Sequence, residues 1–482
     1  MKNESNNLGT SLLWKLLERF GVQGIQFVLQ IVLARILDPE HYGVLSLMIV
    51  FTNLATIFIQ NGFNTALIQN KDVKDEDYSS VFWVSFGVAA ALYGIIFFSA
   101  PGIAAFYAMP EIVAPLRVLA LMLLPGALNS VQLAKVSREL DFRKVFTSNI
   151  AAISIAGVVS ILFAKAGGGL WALVVQSILN VTVAGIVMLF TVQWRPRLVC
   201  NWQRIKVLFS FGWKLLVSSL IDTLYQDIQS LVIGKKYDSG TLGYFNRGKQ
   251  FPQFIISAIN GAVQSVMLPA MSLKQDDMNS VKQLTRTSIM MSAYVLFPMM
   301  AGLAGVAAPM VQLLLTDKWL PCVPYLQIYC FSLAFNPIHA CNLQAINAIG
   351  RSDIFLKLEI IKKTIGISAL VVAVFCFHSP IAIALTSVFT TFTSCFINAY
   401  PNKKLIGYSY FEQMKDMFPS FAASMVMLMA VLLVGTCKLP VVLLLLLQVA
   451  AGITVYVVLS VVFRMEPYGV ILQAIRRRKH SA

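Results

Sequence analysis

Fourteen apolar runs, at about 11–36, 42–67, 79–99, 112–133, 146–165, 170–191, 208–233, 242–270, 287–314, 321–347, 359–377, 380–399, 415–436 and 440–463, are each long enough to cross roughly 30 Å of hydrocarbon. No water is present at that depth to satisfy backbone N–H and C=O groups. A spanning run of this length must therefore close its hydrogen bonds internally, as a helix. The composition agrees, since 57% of the residues are hydrophobic, only 12% are charged and the mean hydropathy is +0.73. These observations predict an all-α polytopic membrane protein of about fourteen transmembrane helices.

Loop charge orients the bundle, because Lys and Arg accumulate in short cytoplasmic loops. Even-numbered connections, both ends of the chain and the Lys362-Lys363 pair hold 26 cations, including the tail Arg476-Arg477-Arg478-Lys479. The odd-numbered connections hold six, namely Arg35, Lys165, Lys235, Lys236, Lys318 and Lys438. Both termini are expected on the cytoplasmic side. The formal charge of +16 is distributed over loops and does not form a nucleic-acid surface. No cleavable signal peptide is expected, because Lys15, Glu18 and Arg19 interrupt the first run. The seven cysteines are scattered without CxxC spacing and read as small hydrophobes, so no metal site is expected.

The second run and the eighth carry the same polar pattern 200 residues apart, Ser46, Asn53, Gln60 and Asn64 matching Asn246, Gln253, Asn260 and Gln264. Steps of seven, seven and four put four groups on one helix face. Val32, Asp38, Gly43, Phe51 and Ile59 keep the same register with Val232, Asp238, Gly243, Phe251 and Ile259. Six spans separate the copies, so both cross the membrane in the same direction, as a parallel repeat about an axis along the membrane normal. The expected division is an N-terminal lobe at 1–206, a C-terminal lobe at 207–407, and two accessory helices with a basic tail at 408–482.

Nine ionisable residues fall inside the runs: Lys15, Glu18, Arg19, Arg117, Lys214, Asp222, Asp227, Arg247 and Lys249. Facing lipid, each would cost roughly 2.5–3.5 kcal/mol at mid-helix. Most must face water, a partner or the interface. Lys15, Arg19, Gln23, Gln26 and Gln30 form a stripe on the first run, and Lys214, Ser218, Asp222, Gln226 and Gln229 form its counterpart on the seventh. With the two duplicated stripes they predict a wet cavity between the lobes. Six cations against three carboxylates suit an anionic guest, and the forked donors of arginine suit phosphate.

Each residue also has a plainer structural role open to it. Lys15 and Arg19 can snorkel to the interface, and Asp227 can neutralise Lys249 or Arg247. His339 can pack helices or hold a proton. Pro125, Pro252, Pro298 and Pro337 can hinge or merely kink their helices. Asp72, Asp75, Glu76 and Asp77 read as a solvated acidic cap.

Several segments together resemble a known family: Trp14-Lys15, Gly21, Gln30, Ala34-Arg35-Ile36-Leu37-Asp38-Pro39 and Tyr42-Gly43, then Gly62-Phe63, Arg138-Glu139-Leu140-Asp141-Phe142 and Ala348-Ile349-Gly350-Arg351. The chain resembles bacterial polysaccharide exporters, the Wzx-type flippases of the multidrug/oligosaccharidyl-lipid/polysaccharide superfamily, on the branch that exports colanic and teichuronic acid units. The resemblance implies two six-helix lobes that carry undecaprenyl-diphosphate-linked oligosaccharide across the bacterial cytoplasmic membrane by alternating access. It assigns diphosphate binding to Lys15, Arg19, Arg117, Lys214, Arg247 and Lys249, with the polar residues above lining the cavity. No cofactor is implied, the coupling ion stays open between H+ and Na+, and the implied partners are the lipid-linked glycan, membrane lipids and polysaccharide polymerase or assembly proteins.

Three other functions compete with this reading. An enzyme acting on the same lipid-linked sugars would need catalytic acids outside the membrane, yet the longest outer loop, about 100–111, has Glu111 as its one charged residue. A cation-coupled drug exporter would favour carboxylates in its cavity. A lipid II-type flippase differs only in its substrate.

Overall fold

A computed structural model describes residues 21–60, 63–69, 72–274, 276–470 and 472–473. The described residues are helices joined by short connections, with no strand among them, and the chain divides into two compact units, 1–243 and 244–482. Unit 1 comprises α1 (Gln23–Ile36), α2 (Pro39–Gln60), α3 (Asn64–Gln69), α4 (Asp75–Tyr107), α5 (Val113–Leu119), α6 (Leu123–Glu139), α7 (Phe142–Lys165), α8 (Leu170–Thr191), α9 (Trp202–Lys236) and the start of α10 (Ser239–Ser272). Unit 2 takes the rest of α10 with α11 (Met278–Gly305), α12 (Ala307–Leu315), α13 (Val323–Ala334), α14 (Asn336–Ala348), α15 (Ser352–Cys376), α16 (Pro380–Leu405), α17 (Tyr410–Gly435) and α18 (Val441–Val462).

Among the described residues, nine helical segments are long and apolar enough to cross a membrane, or ten with α9. The latter bends by 52° between Trp202–Ser210 and Gly212–Lys236. The other expected runs are helical where described, and their residues explain why they fall short. The first run enters the described residues only at 21. The eighth, α10, carries its polar stripe together with Arg247 and Lys249. The tenth is divided at Phe335 into α13 and α14, where Pro337 follows, and the eleventh, α15, bears Glu359, Lys362 and Lys363. Large apolar side chains such as Phe98, Phe190, Phe375 and Leu433 are at least 70% exposed, a surface compatible with lipid rather than water.

Helix ends follow from local chemistry. Asp277 caps α11, its Oδ1 accepting from the backbone N–H groups of Asn279 and Ser280 at 3.0 and 3.2 Å. Those side-chain and backbone bonds, that to the Ser280 hydroxyl first, hold the Asp277 carboxyl below its ordinary value. Ser409 and Glu412 form a reciprocal capping box at α17. Gly350 closes α14 at φ +74°, its N–H donating to Asn347 O while Arg351 N–H reaches Ile346 O, a turn that few residues with a Cβ enter without strain. The corresponding left-handed residue after α6 is Leu140, at φ +56°.

In unit 1 the duplicated register meets itself. A Cβ on Gly43 would lie 1.7 Å from Ser239 O, and one on Gly243 would lie 2.1 Å from Pro39 O. The matched glycines are thus reciprocal partners, and the backbones of α2 and the first turn of α10 touch. Nearby, Gly234 of α9 packs against Leu47 and Leu242. Packing groups α9 with unit 1.

The connection between α8 and α9 lies across the first turns of α4. Ser79 Oγ accepts from Arg197 N at 3.2 Å, Ser80 Oγ accepts from Asn201 N at 3.0 Å, and Trp83 Nε1 donates to Arg197 O at 2.8 Å. Arg204 completes the strap with two bonds to the Asp77 carboxylate, at 2.9 and 2.7 Å. Asp77 is only 3% exposed, so the acidic segment is not the wholly solvated cap expected of it. Beneath the strap, Phe63, Leu67, Phe82, Val131 and Trp194 build a core. In unit 2, α17 and α18 pack on α11, where Tyr294 donates to Ser460 Oγ at 3.0 Å and Tyr456 donates to Tyr294 O at 2.8 Å.

Candidate functional site

The candidate cations are placed by different elements and in different surroundings. Lys15 and Arg19 lie outside the described residues. Arg117, on the short helix α5, is half-buried, donates from Nε to Phe97 O at 3.0 Å, and sets its guanidinium 4.2 Å from the Phe97 ring centre. A cation over an aromatic face gains from the ring quadrupole, more so when water is excluded. Lys214 is exposed, just beyond the bend of α9.

In unit 2, Arg247 is 5% exposed, donates from Nη1 to Gln250 Oε1 at 2.7 Å, and lies 5.0 Å from the Trp319 ring centre. Lys249 is half-buried, with Nζ 5.8 Å from the centre of Tyr329. Gly248 between them explains the close approach, because a Cβ there would lie 2.8 Å from Cys322 O and 2.8 Å from Leu326 N. Sequence spacing had shown the cations but not Phe97, Trp319 or Tyr329. These aromatics lie far away along the chain, and a ring gives no signal of which cation it will cover.

The polar stripes keep their character in matched pairs. Ser46 and Asn246 are half-buried, Asn53 and Gln253 exposed, Gln60 and Asn260 half-buried. Asn64, four residues on from Gln60, is the first residue of α3. There Asn64 Oδ1 accepts from Ser130 Oγ at 2.9 Å, directing the amide to α6. The side chain of Gln264 lies outside the described ones. On α1, Gln23 and Gln30 are half-buried and Gln26 exposed; on α9, Asp222 is half-buried and Gln226 exposed.

His339 Nε2 stands 3.7 Å from Cys395 Sγ, in the packed interior of unit 2. Next to it is a polar cluster that charge counting passes over. Asn342, Asn402 and Gln413 are each at most 1% exposed and bond to one another at 2.7 to 2.9 Å. Its signal in the sequence is the pair Asn398 and Asn402, one helical turn apart on an apolar helix. Among the described residues no cluster of three or more His, Cys, Asp or Glu could hold a metal ion.

A family model described as "Polysaccharide biosynthesis protein" matches residues 32–324. The succinoglycan biosynthesis transport protein ExoT of Rhizobium meliloti (strain 1021) is 24% identical over 331 residues, covering 69% of this chain and 66% of that protein. The teichuronic acid biosynthesis protein TuaB of Bacillus subtilis (strain 168) is 25% identical over 309 residues, 63% of each. The match thus spans a little under two thirds of the length of either relative. The lipopolysaccharide biosynthesis protein WzxC of Escherichia coli (strain K12) is 23% identical over 421 residues, covering 86% of this chain and 84% of that protein. Among solved structures, the lipid II flippase MurJ in an inward closed conformation superposes with a TM-score of 0.73 at 17% identity, covering 94% of this chain and 98% of that one. An inward-facing multidrug resistance MATE family transporter superposes at 0.58 with 14% identity, covering 86% and 98%. These likenesses establish the polytopic helical fold.

Proposed function

This chain belongs to the polysaccharide biosynthesis protein family, and on that premise we propose that it is a flippase, not an enzyme, carrying undecaprenyl-diphosphate-linked oligosaccharide units across the bacterial cytoplasmic membrane by alternating access. The observation that carries this reading is the family match over 32–324, on a chain of membrane-length helices whose relatives are named for succinoglycan transport and for teichuronic acid and lipopolysaccharide biosynthesis. A diphosphate cannot cross hydrocarbon as an anion without a prohibitive desolvation cost. A helix bundle carrying cations at membrane depth supplies the missing counter-charge while the prenyl tail stays in lipid.

In this reading Lys15, Arg19 and Lys214 receive the diphosphate, and Arg117, Arg247 and Lys249 hold it before release. The contacts of Arg117 with Phe97 and of Arg247 with Gln250 and Trp319 support preorganised positions, which limits the side-chain entropy lost when an anion binds. Both H+ and Na+ remain candidates for the coupling ion, and polysaccharide polymerase or assembly proteins are the proposed partners.

The test is translocation of a lipid-linked oligosaccharide in vesicles containing the purified protein. Lys214→Ala or Arg247→Ala should slow transfer about tenfold or more, the loss expected from one charge-assisted bond. Arg247→Lys should restore part of the rate, since it keeps charge but not the fork. Normally inserted alanine variants at all six positions with undiminished transfer would remove these residues from the transport path. Transfer of a peptidoglycan precursor in preference to oligosaccharide would redirect the reading to the lipid II class.

A further inference from the structure

A polar seam runs through the interior of unit 2, distinct from the six candidate cations. On α16, Ser387, Thr391, Cys395, Asn398 and Asn402 follow at steps of four, four, three and four and so share one face, along roughly 22 Å of helix. Helices α13 and α14 answer it level by level. Ser332 Oγ meets Thr391 Oγ1 at 2.8 Å and donates to Ser387 O at 3.1 Å. His339 Nε2 meets Cys395 Sγ at 3.7 Å, and Asn402 Nδ2 donates to Asn342 Oδ1 at 2.7 Å.

The seam then continues outward. Gln413, bonded to Asn342 in both directions, also donates to Tyr408 O at 3.5 Å, and Tyr408 Oη donates to Asp416 Oδ2 at 2.8 Å. Arg286 links Asp416 to Glu466, whose side chain is 58% exposed. Hydrogen-bonded groups thus lead from solvent to Asn402, near the C-terminal end of α16.

Along this line the bonding is incomplete at one level. Asn398 is fully buried, at 0% exposure, and among the described residues neither its Oδ1 nor its Nδ2 meets a partner. Asn402 Oδ1, one turn further along α16, and His339 Nδ1, on α14 beside Cys395, likewise meet no partner among the described residues. A buried amide in this condition needs both an acceptor and a donor. A bare cation would answer only the oxygens, and an anion only the N–H groups. Water does both, and buried waters characteristically satisfy such groups with about three bonds each.

We propose that unit 2 holds an internal hydration site at Asn398, bounded by Asn402 and His339, in which ordered water bridges the orphaned amide atoms and continues the Asp416–Tyr408–Gln413–Asn342 chain one turn further along α16. The inference does not depend on the identity of the transported glycan.

Hydroxyl-radical labelling by a brief X-ray pulse, read by mass spectrometry on the intact protein in detergent, tests it, because buried side chains beside bound water are oxidised while dry ones are not. Cys395 and Met417, one turn from Asn398 and Gln413 respectively, are each 2% exposed; Cys330 and Met300, which line a largely apolar cavity of about 230 Å³, are each 1% exposed and serve as controls matched in exposure. Severalfold faster oxidation of Cys395 than of Cys330, and of Met417 than of Met300, is expected. In Asn398→Leu, similar in volume but without polar atoms, Cys395 should fall to the rate of Cys330. Control-level oxidation at Cys395 and Met417 in the wild type would show the seam to be dry, and fast oxidation unaltered in a folded Asn398→Leu protein would show that Asn398 does not hold the water; either result overturns the proposal. Should that variant fail to fold, the wild-type comparison alone decides.

Discussion

At the scale of single residues, the ion pair of Asp77 and Arg204 shows how far local reading reaches. Four acidic groups within six positions look like a solvated cap, and nothing near them in sequence identifies a partner. Arg204 lies 127 residues away and forms a fork on a carboxylate that is nearly inaccessible. Removing Arg204 leaves the nearly inaccessible Asp77 carboxylate with the Lys74 N–H at 2.9 Å but without its forked partner. Arg204→Ala should lower stability by about 3 kcal/mol, read as a fall in melting temperature in detergent, and the double variant Asp77→Asn with Arg204→Ala should recover part of the loss. Additive single effects would mean that the two side chains act independently. The candidate cations show the same limit, since charge inside an apolar run is legible from sequence whereas the aromatic rings beside Arg117, Arg247 and Lys249 emerge only when the chain is folded.

At the scale of elements, helix positions were well marked because apolar runs of this length admit one solution in a bilayer. Interruptions were marked unevenly. Pro337 signals the break between α13 and α14, while the bend of α9 carries no comparable proline, and Pro252 and Pro298 sit inside helices that continue through them. The contact of α2 with the start of α10 was legible only as a register match, in which Gly43 and Gly243 are two of many paired residues. Packing singles them out, because each occupies the space a side chain would need against the backbone of the other copy. Gly43→Ala and Gly243→Ala should each destabilise by about 1–3 kcal/mol through overpacking, whereas Gly87→Ala, with nothing near its Cβ position on α4, should be neutral or slightly stabilising. Thermal unfolding of the three variants side by side checks this, and equal effects at Gly43 and Gly87 would contradict it.

At the scale of the whole molecule, loop charge alternates in a way that predicts both termini on the cytoplasmic face. Cysteines introduced near Ala108 and Lys318 should react with membrane-impermeant maleimide applied from outside, and those near Arg197 and Arg351 should not; the reverse pattern would invert the topology. The strap over α4 bears on the chain as a length of string. Residues 192–201 form the longest helix-free connection described within either unit, contain a proline and join two halves of a duplicated sequence, all marks of a slack tether. Yet Ser79, Ser80 and Trp83 hold its backbone and Arg204 pins its far end, so almost none of its contour length is available as slack. A cut or an insertion in that stretch would strip the cover from the first turns of α4 instead of merely loosening a join.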